Sequence, residues 1–444
     1  MYSRRQFLAG LLASSVAAGF SGRRLRAEQK ALRLNWWGET EAPGLKTFIE
    51  SAAAAFETQT GIQINATLMS ADNVIPDFEK QSAAGQAPDV QFLWNGIFHM
   101  ENVWKGYLAP LNGLLADDVL FNSNATVLSQ FQHRQYRFGW YTESIVYVYN
   151  KQLFAKAGLP TDQGPATWDA FLSACEALKR QGTLPLVGGL KDGYWGEWWM
   201  GYGLTQNLDT PADALNLFSG TFDWREPKYW QHWAILDQMV KSNYFNSDFG
   251  ALSVYEGIDL FSAGKGAMTA ISLSLLSRII KQLGPENVGL MTFPKFGQGA
   301  MAGRPIIDTS GFGISSQSKD PASAARFLTF LGSVDQMQNL FTATGGVLPA
   351  GLKWPGTGIH NDVTQVAWQR WVRDFDGQGV PYISNLMPTQ FWTDAMFVNS
   401  QQIVAGQMSP EQTGDLAAHV AGAWRQDKPG LVDKYSVWAN DLRL

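Results

Sequence analysis

Cysteine is almost absent from this sequence. Its 444 residues contain a single one, Cys175, so an intrachain disulfide and a cysteine-based metal cluster are both excluded. Cys175 lies in a helical pattern rich in Ala and Leu, and we expect it to be a small buried residue. The five histidines are scattered along the chain, and the HExxH zinc motif is missing. We therefore expect no metal and no cofactor.

The motifs of nucleotide binding and nucleophilic catalysis are also lacking. Residues 264–268 fall short of a phosphate-binding loop, Gly201 and Gly203 lack the third glycine of a dinucleotide site, and the chain has no GxSxG elbow. The net charge of −5 and the absence of a basic run argue against a nucleic-acid partner. The N-terminal apolar run covers about 13 residues, whereas a helix needs about 20 to span a membrane.

The first residues have the layout of an export signal. Arg4 and Arg5 precede Phe7 and Leu8, an apolar stretch of small residues follows, and basic residues lead to Ala27. This order of charged, apolar and small residues is typical of a cleaved signal peptide, and the arginine pair resembles the twin-arginine type. We predict a signal peptide over residues 1–27 and a periplasmic protein, with no cysteine available for an N-terminal lipid anchor.

Aromatic residues are abundant, with 18 Trp, 26 Phe and 13 Tyr. They are densest in residues 191–199, where Tyr194 and Trp195 stand next to carboxylates. Aromatic faces stack on the C–H surfaces of sugars, and carboxylates accept hydrogen bonds from sugar hydroxyls, so this segment suits a carbohydrate site. An aromatic core between a helix and a sheet explains the same cluster equally well.

The hydrophobic pattern predicts an α/β fold. Strands are predicted over residues 31–37, 61–69 and 89–94, and helices over 45–56 and 74–84, which gives a parallel sheet. Ligands of open α/β sheets bind beyond the carboxyl ends of the strands. We therefore expect the residues that follow these strands to lie at the binding edge: Gly38, Glu39, Thr40, Ser70, Trp94, Asn95 and Gly96.

Two further segments are extended in a different way. Residues 137–149 are aromatic and too long for a simple strand, and residues 306–315 form a second extended candidate ahead of a helix over 322–331. Both segments are candidates for connections between two domains. Because the chain has no long linker, we expect the domains to be interleaved rather than consecutive.

Seven short motifs occur in an order that resembles the extracellular solute-binding proteins of carbohydrate ABC importers, the family that includes maltose-binding protein. The resemblance covers nearly all of residues 31–425. The motifs lie at residues 87–90, 103–111, 147–154, 157–159, 167–171, 261–268 and 344–349.

The resemblance implies a type II periplasmic binding protein fold, with two α/β lobes that have parallel-rich sheets. The three crossings of its hinge are expected near residues 138–143, 304–309 and 342–350. One lobe then comprises residues 28–140 and 309–342, and the other 143–306 and 350–444. A monomer of this family closes its cleft on a ligand and delivers it to the membrane subunits of an ABC permease.

The resemblance maps Glu39, Thr40, Trp94, Asn95, Glu143, Trp392 and either Tyr194 or Trp195 onto the cleft. Where maltose-binding protein has a further tryptophan, this chain has residues 271–276 without one, which favours a small sugar, glycoside or polyol over long maltodextrins. A surface ion pair is the alternative role for Glu143, and helix core is the alternative for Trp392. The complete set of candidate ligand-binding residues is Trp37, Glu39, Thr40, Trp94, Asn95, Trp140, Glu143, Tyr194, Trp195, Asp308 and Trp392, of which Trp37 and Trp140 suit the core equally well.

Two alternative functions share this cleft. An exported glycoside hydrolase would use Glu143, Glu197 or Asp308 as its acid pair, since glycosidases need two carboxylates at a controlled separation. A sensor subunit that feeds a membrane receptor would bind the same ligand. The order of the motifs favours the importer component, because no acid pair stands out locally in the sequence.

The export signal leads to the first prediction. Replacing Arg4 and Arg5 together with Lys should abolish transport through the twin-arginine route, and the unprocessed protein should accumulate in the cytoplasm. Cell fractionation followed by immunoblotting measures the distribution. An unchanged periplasmic yield of the processed chain would contradict the twin-arginine assignment.

Overall fold

A computed structural model describes residues 31–124, 126–374 and 377–442; the predicted signal peptide lies outside these residues. The strands are β1 Ala31–Trp36, β2 Gln63–Leu68, β3 Val90–Leu93, β4 Gln130–Phe131, β5 Arg134–Gln135, β6 Phe138–Thr142, β7 Ile145–Asn150, β8 Leu184–Leu186, β9 Gly266–Ser272, β10 Val288–Met291, β11 Ile306–Ile307, β12 Thr309–Ile314 and β13 Val380–Pro381.

The α-helices are α1 Leu45–Thr60, α2 Ala71–Ala83, α3 Ile97–Trp104, α4 Asp117–Leu120, α5 Lys151–Lys156, α6 Trp168–Arg180, α7 Tyr194–Thr205, α8 Pro211–Ser219, α9 Pro227–Lys241, α10 Val254–Ser262, α11 Leu276–Leu283, α12 Pro321–Leu331, α13 Val334–Ala343, α14 Asp362–Ala367, α15 Thr389–Phe391, α16 Val398–Val404, α17 Pro410–Asp427 and α18 Pro429–Asp441. Two π-helical segments, Trp368–Val372 and Trp392–Phe397, follow α14 and α15.

The first sheet has the strand order β2-β1-β3-β12-β6. Strands β1, β2 and β3 are parallel, as the sequence predicts, and β12 runs antiparallel to both β3 and β6. Helix α1 packs on this sheet through Leu45, Phe48, Ile49, Ala52 and Phe56, which recur at helical spacing and are buried. The chain leaves α1 through Gly61, whose φ of 71° suits a residue without a Cβ atom.

The second sheet has the order β10-β7-β9-β8, and every residue of β7 and β9 is buried. Only β8 and β9 pair in parallel, whereas β7 is antiparallel to both β9 and β10. The expectation of parallel-rich sheets is therefore wrong for this sheet. The physical reason is that only two residues separate the end of β6 from the start of β7. The chain therefore enters the second sheet directly from the first, and β7 runs in the direction opposite to β9 and β10.

Three connecting segments lie side by side between the two sheets. Two of them join strands of one sheet to strands of the other, and the third, near Leu348, leads from α13 to the C-terminal helices. The amide of Thr142 donates to the carbonyl of Leu348 over 3.0 Å, and the amide of Glu143 donates to the carbonyl of Asp308 over 3.0 Å. The Ser144 hydroxyl accepts from the Asp308 amide, also over 3.0 Å. Residues 137–149 thus form two strands in two different sheets, and residues 306–315 likewise divide between β11 and β12.

Most of the tryptophan is structural. Trp195, Trp199, Trp233, Trp354, Trp371, Trp424 and Trp438 are all fully buried. Helices α7, α8, α9, α16, α17 and α18 pack on one another beyond the second sheet and hold many of these rings. Cys175 is buried in α6, as expected. Within the described parts of the chain, we find no helix with the length and apolar character needed to cross a membrane.

The connection between the sheets leads to the second prediction. Ser144→Ala should lower the free energy of unfolding by about 1–3 kcal/mol, because the buried Asp308 amide loses the acceptor it now has. Urea unfolding followed by circular dichroism measures the change. Ser436→Ala is the matched control, since the Ser436 hydroxyl donates to the Val432 carbonyl at an exposed position of α18. Equal effects of the two substitutions would contradict the prediction.

Candidate functional site

The two sheets present their binding edges to each other. Strands β1, β3 and β6 end at the same edge of the first sheet, where β12 begins, because β12 is antiparallel to its neighbours. In the second sheet β9 ends where β7 begins, next to the connecting segments. The residues that follow β1, β3, β6 and β9 therefore converge on one cleft between the sheets.

A pair of carboxylates, Glu41 and Glu143, lies at the centre of this cleft. Glu41 follows β1 and Glu143 follows β6, and both are buried. Burial raises the pKa of each, most strongly that of Glu143, where the charge of Glu41 adds to the effect. The hydroxyls of Ser272, the last residue of β9, and of Ser274, just after it, interact with Glu41 from the second sheet. Carboxylates from one sheet thus meet hydroxyls from the other.

Asp308, on the second connecting segment, joins several parts of the site. One of its carboxylate oxygens accepts from Asn385 Nδ2 over 2.8 Å and the other from the Thr309 amide over 2.8 Å. Asn95, which follows β3, interacts with the same carboxyl. Burial raises the pKa of Asp308 to about 6, although the guanidinium of Arg137 opposes the rise. The amide of Asn385 thereby links the C-terminal third of the chain to the first sheet.

A further buried carboxyl, Glu197 on α7, lies beside Tyr382 and Ser384. Burial raises its pKa to about 8, although these two hydroxyls favour the charged form. No hydrogen bond of normal geometry reaches Glu197 Oε1 or the Tyr382 hydroxyl. The negative charge of Asp308 also acts on Glu197, so the acidic cluster extends from Glu41 through Glu143 and Asp308 to Glu197.

One wall of the cleft is aromatic. The Trp37 ring lies 5.3 Å from that of Trp94, and the Trp94 ring lies 5.6 Å from that of Phe98. Phe98 meets Trp392 edge to face at 4.7 Å, so the wall continues from the first sheet into the C-terminal helices. Trp392 begins a π-helical segment, an irregularity that is frequent at functional sites. Its indole N–H is buried and has no hydrogen-bond partner.

Four of the residues that the sequence predicts to bind ligand either point to solvent or contact other parts of the protein. Glu39 accepts from the amides of Gly44 and Lys46 and thereby stabilises the start of α1, while Thr40 is exposed. Trp140 packs between Phe48 and Phe312 in the core of the first sheet. Trp195 stacks on Trp199 at 5.7 Å in the helical core. The alternation of side chains along β6 explains the placement of Trp140, since its neighbours Tyr141 and Glu143 point the other way.

The remaining predicted residues converge on the cleft, and several contributors were missed. Tyr194 lies at the start of α7, and its hydroxyl donates to Asp72 Oδ1 of α2 over 3.3 Å. Glu41 lies two residues after Glu39 in the same loop, so its position after β1 could have indicated it as a candidate for the site. The segment that lacks the expected tryptophan supplies Ser272 and Ser274. Asp72 and Phe98 lie two residues after predicted edge positions, whereas the residues that carried no local signal are Tyr255, Tyr382, Ser384 and Asn385.

These carboxylates do not assemble into a metal site. In the described ranges no group of three His, Cys, Asp or Glu side chains has the arrangement needed to hold an ion. The acceptors of the cleft are better matched to hydrogen-bond donors on a ligand.

The burial of Glu197 leads to the third prediction. A carboxyl whose pKa rises from 4.5 to about 8 on folding contributes stability below pH 4.5 and loses it as the pH rises through about 8. Glu197→Gln removes this dependence, so its free energy of unfolding relative to wild type should increase from pH 5 to pH 8. Urea denaturation at both pH values measures it, with the exposed Glu50→Gln as the control. A difference that stays constant with pH would contradict the prediction.

Comparison with known proteins agrees with this architecture. The sequence profile described as bacterial extracellular solute-binding protein matches residues 38–338, more than half of the chain. The sn-glycerol-3-phosphate-binding periplasmic proteins UgpB of Salmonella typhimurium and of Escherichia coli K12 are each 29% identical over 211 residues. The match spans 45% of this chain and 45% of each relative, so the chain aligns with less than half the length of these curated relatives.

Solved structures show the same fold. A chitin oligosaccharide binding protein superposes with a TM-score of 0.77 at 21% identity, covering 88% of this chain and 98% of that one. The maltose/maltodextrin-binding domain MalE from Bdellovibrio bacteriovorus superposes with a TM-score of 0.69 at 16% identity, covering 89% and 100%. Both support the type II periplasmic binding protein fold, with two lobes around a cleft. With the profile match over residues 38–338, this chain belongs to the bacterial extracellular solute-binding protein family.

Proposed function

We propose that this protein captures a carbohydrate in the cleft between its two sheets and delivers it to the permease of an ABC importer. The observation that carries this proposal is the composition of the region between the sheets, which contains a series of aromatic rings from Trp37 to Trp392 as well as buried carboxyl groups and amides. A sugar ring has two apolar faces and an edge of hydroxyls. It therefore matches a site that offers rings on one side and hydrogen-bond acceptors on the other.

The two sheets are proposed as the cores of two lobes that move relative to each other. The boundaries follow the sequence prediction, with residues 28–140 and 309–342 in one lobe and 143–306 and 350–444 in the other. Contacts across the cleft support closure on a ligand: Tyr194 reaches Asp72, and the Thr389 hydroxyl donates to Glu101 over 3.3 Å. Hinge motion about a few connecting residues is a common mechanism of ligand capture.

The names of related proteins support an extracytoplasmic transport role. The curated relatives bind sn-glycerol 3-phosphate in the periplasm, and two of the structures that share the fold bind chitin oligosaccharides and maltotriose. Membership of a solute-binding family supports a binding role. We propose a monomer that is located in the periplasm and receives its ligand there, and that makes no contact with nucleic acid.

The cleft leads to the fourth prediction, which separates ligand contacts from core contacts. Trp392→Ala and Glu143→Gln should weaken sugar binding about tenfold to a hundredfold, because each removes a group that faces the ligand. A thermal-shift screen of sugars, glycosides and polyols identifies the ligand, and titration calorimetry measures its affinity. Because Trp392 is itself buried, its removal should also lower the melting temperature, so the affinity of each variant is measured at a temperature at which it is folded.

Trp140→Ala is the matched control. Its ring is buried between Phe48 and Phe312, so its removal should cost about 3–5 kcal/mol of stability. Binding by the remaining folded protein should be unchanged. A Trp392→Ala variant that loses stability but binds sugar normally would contradict the proposed role of Trp392. A screen in which no sugar, glycoside or polyol binds would contradict the proposed function as a whole.

A further inference from the structure

The cleft holds four buried acidic side chains beside one buried basic side chain. Glu41, Glu143, Asp308 and Glu197 are 4%, 7%, 4% and 2% exposed. The basic side chain beside them is Arg137, which is also buried. Its two terminal nitrogens bond to Thr309, at 3.2 and 2.9 Å from the Thr309 hydroxyl, and one of them also donates to the Thr309 carbonyl. The guanidinium is therefore already bound by the protein and balances one carboxylate of four.

Several polar groups in the same place lack a partner. The Ser310 hydroxyl lies beside the carboxyl of Glu143 and the hydroxyl of Tyr141, yet it closes no hydrogen bond of normal geometry. Ser310 is completely buried. The Tyr382 hydroxyl and Glu197 Oε1 are in the same situation at the other end of the cluster. These side chains lie next to one another, and their donors and acceptors are also available to hydrogen-bond a polar group of a ligand.

The surroundings of Glu41 and Glu143 define the chemistry of that ligand. The groups that face the pair are Asp308 and Arg137 from the connecting region, Tyr141 from β6, Tyr255 from α10, and the hydroxyls of Ser272, Ser274 and Ser310. Two adjacent carboxyl groups in a site of low dielectric disfavour further negative charge, whereas a bound ammonium group can displace the proton that the pair holds and pair with both carboxylates.

We propose that Glu41 and Glu143 form a subsite that selects the ligand by charge. An ammonium group of an amino sugar binds best there, a hydroxyl binds less tightly, and a phosphate ester is excluded. This inference rests on the proposed capture of a carbohydrate and names its chemical class. It also separates this protein from its curated relatives, whose names specify sn-glycerol 3-phosphate.

The test uses matched ligands that differ at one position. Glucose, galactose and mannose are each titrated calorimetrically as the parent hexose, the 6-amino-6-deoxy derivative and the 6-phosphate, together with sn-glycerol 3-phosphate. The amino derivative should bind about tenfold more tightly than the parent, and the phosphate at least about tenfold more weakly, since like charges in contact are strongly unfavourable. This order is measured on the wild-type protein and needs no variant.

Glu41→Gln and Glu143→Gln then assign the effect to the pair. Each should reduce the advantage of the amino derivative and relax the exclusion of the phosphate, whereas Glu50→Gln, which removes an exposed charge from α1, should change neither. A phosphate that binds as tightly as its parent, or an amino derivative that gains nothing, would overturn the subsite while sugar capture stands. If neutral glycosides and all the matched ligands fail to bind, the proposed function fails and this inference fails with it.

Discussion

The hydrogen bonds that hold the three connecting segments side by side are the constraint on which the rest of the structure depends. The Glu143 amide on the Asp308 carbonyl and the Thr142 amide on the Leu348 carbonyl fix the position of one sheet relative to the other. Because the same residues carry the Glu143 and Asp308 side chains, the backbone that joins the sheets also forms the floor of the cleft. A rotation of one sheet against the other therefore changes the distances between the side chains of the cleft.

The buried acids are unfavourable for folding and informative about function. Removing a carboxylate from water costs free energy, and each carboxyl of this cluster has a raised pKa because of that burial. A core built for stability alone would replace Glu143 or Glu197 with an apolar side chain. Their presence between two sheets, next to unpaired hydroxyls, fits a site whose hydrogen bonds are completed by a ligand.

Some aromatic residues of the chain form the core and others lie near the cleft, and the sequence alone does not separate the two groups. The segment around Tyr194 and Trp195 is a candidate sugar site in the sequence because aromatic rings and acidic side chains occur close together there. On the helix α7, successive residues point in different directions, so Trp195 enters the core while Tyr194 and Glu197 approach the cleft. Along β6 the same argument sends Trp140 inward and Tyr141 and Glu143 to the site.

The sequence by itself determined the class of fold, the strands β1 to β3 with their helices, and the segments that pass between the sheets, because hydrophobic periodicity is a local property. The position after β3 indicated Trp94 and Asn95 as candidates for the cleft, and Glu143 followed only from the resemblance to a known family. Only the tertiary structure decided that β7 pairs antiparallel with its neighbours and that Glu41, rather than Glu39, lies at the site. It also decided that Ser272, Tyr382 and Asn385 lie next to the buried carboxyl groups. Those features depend on contacts between residues far apart in the chain, for which a single sequence has no periodic signal.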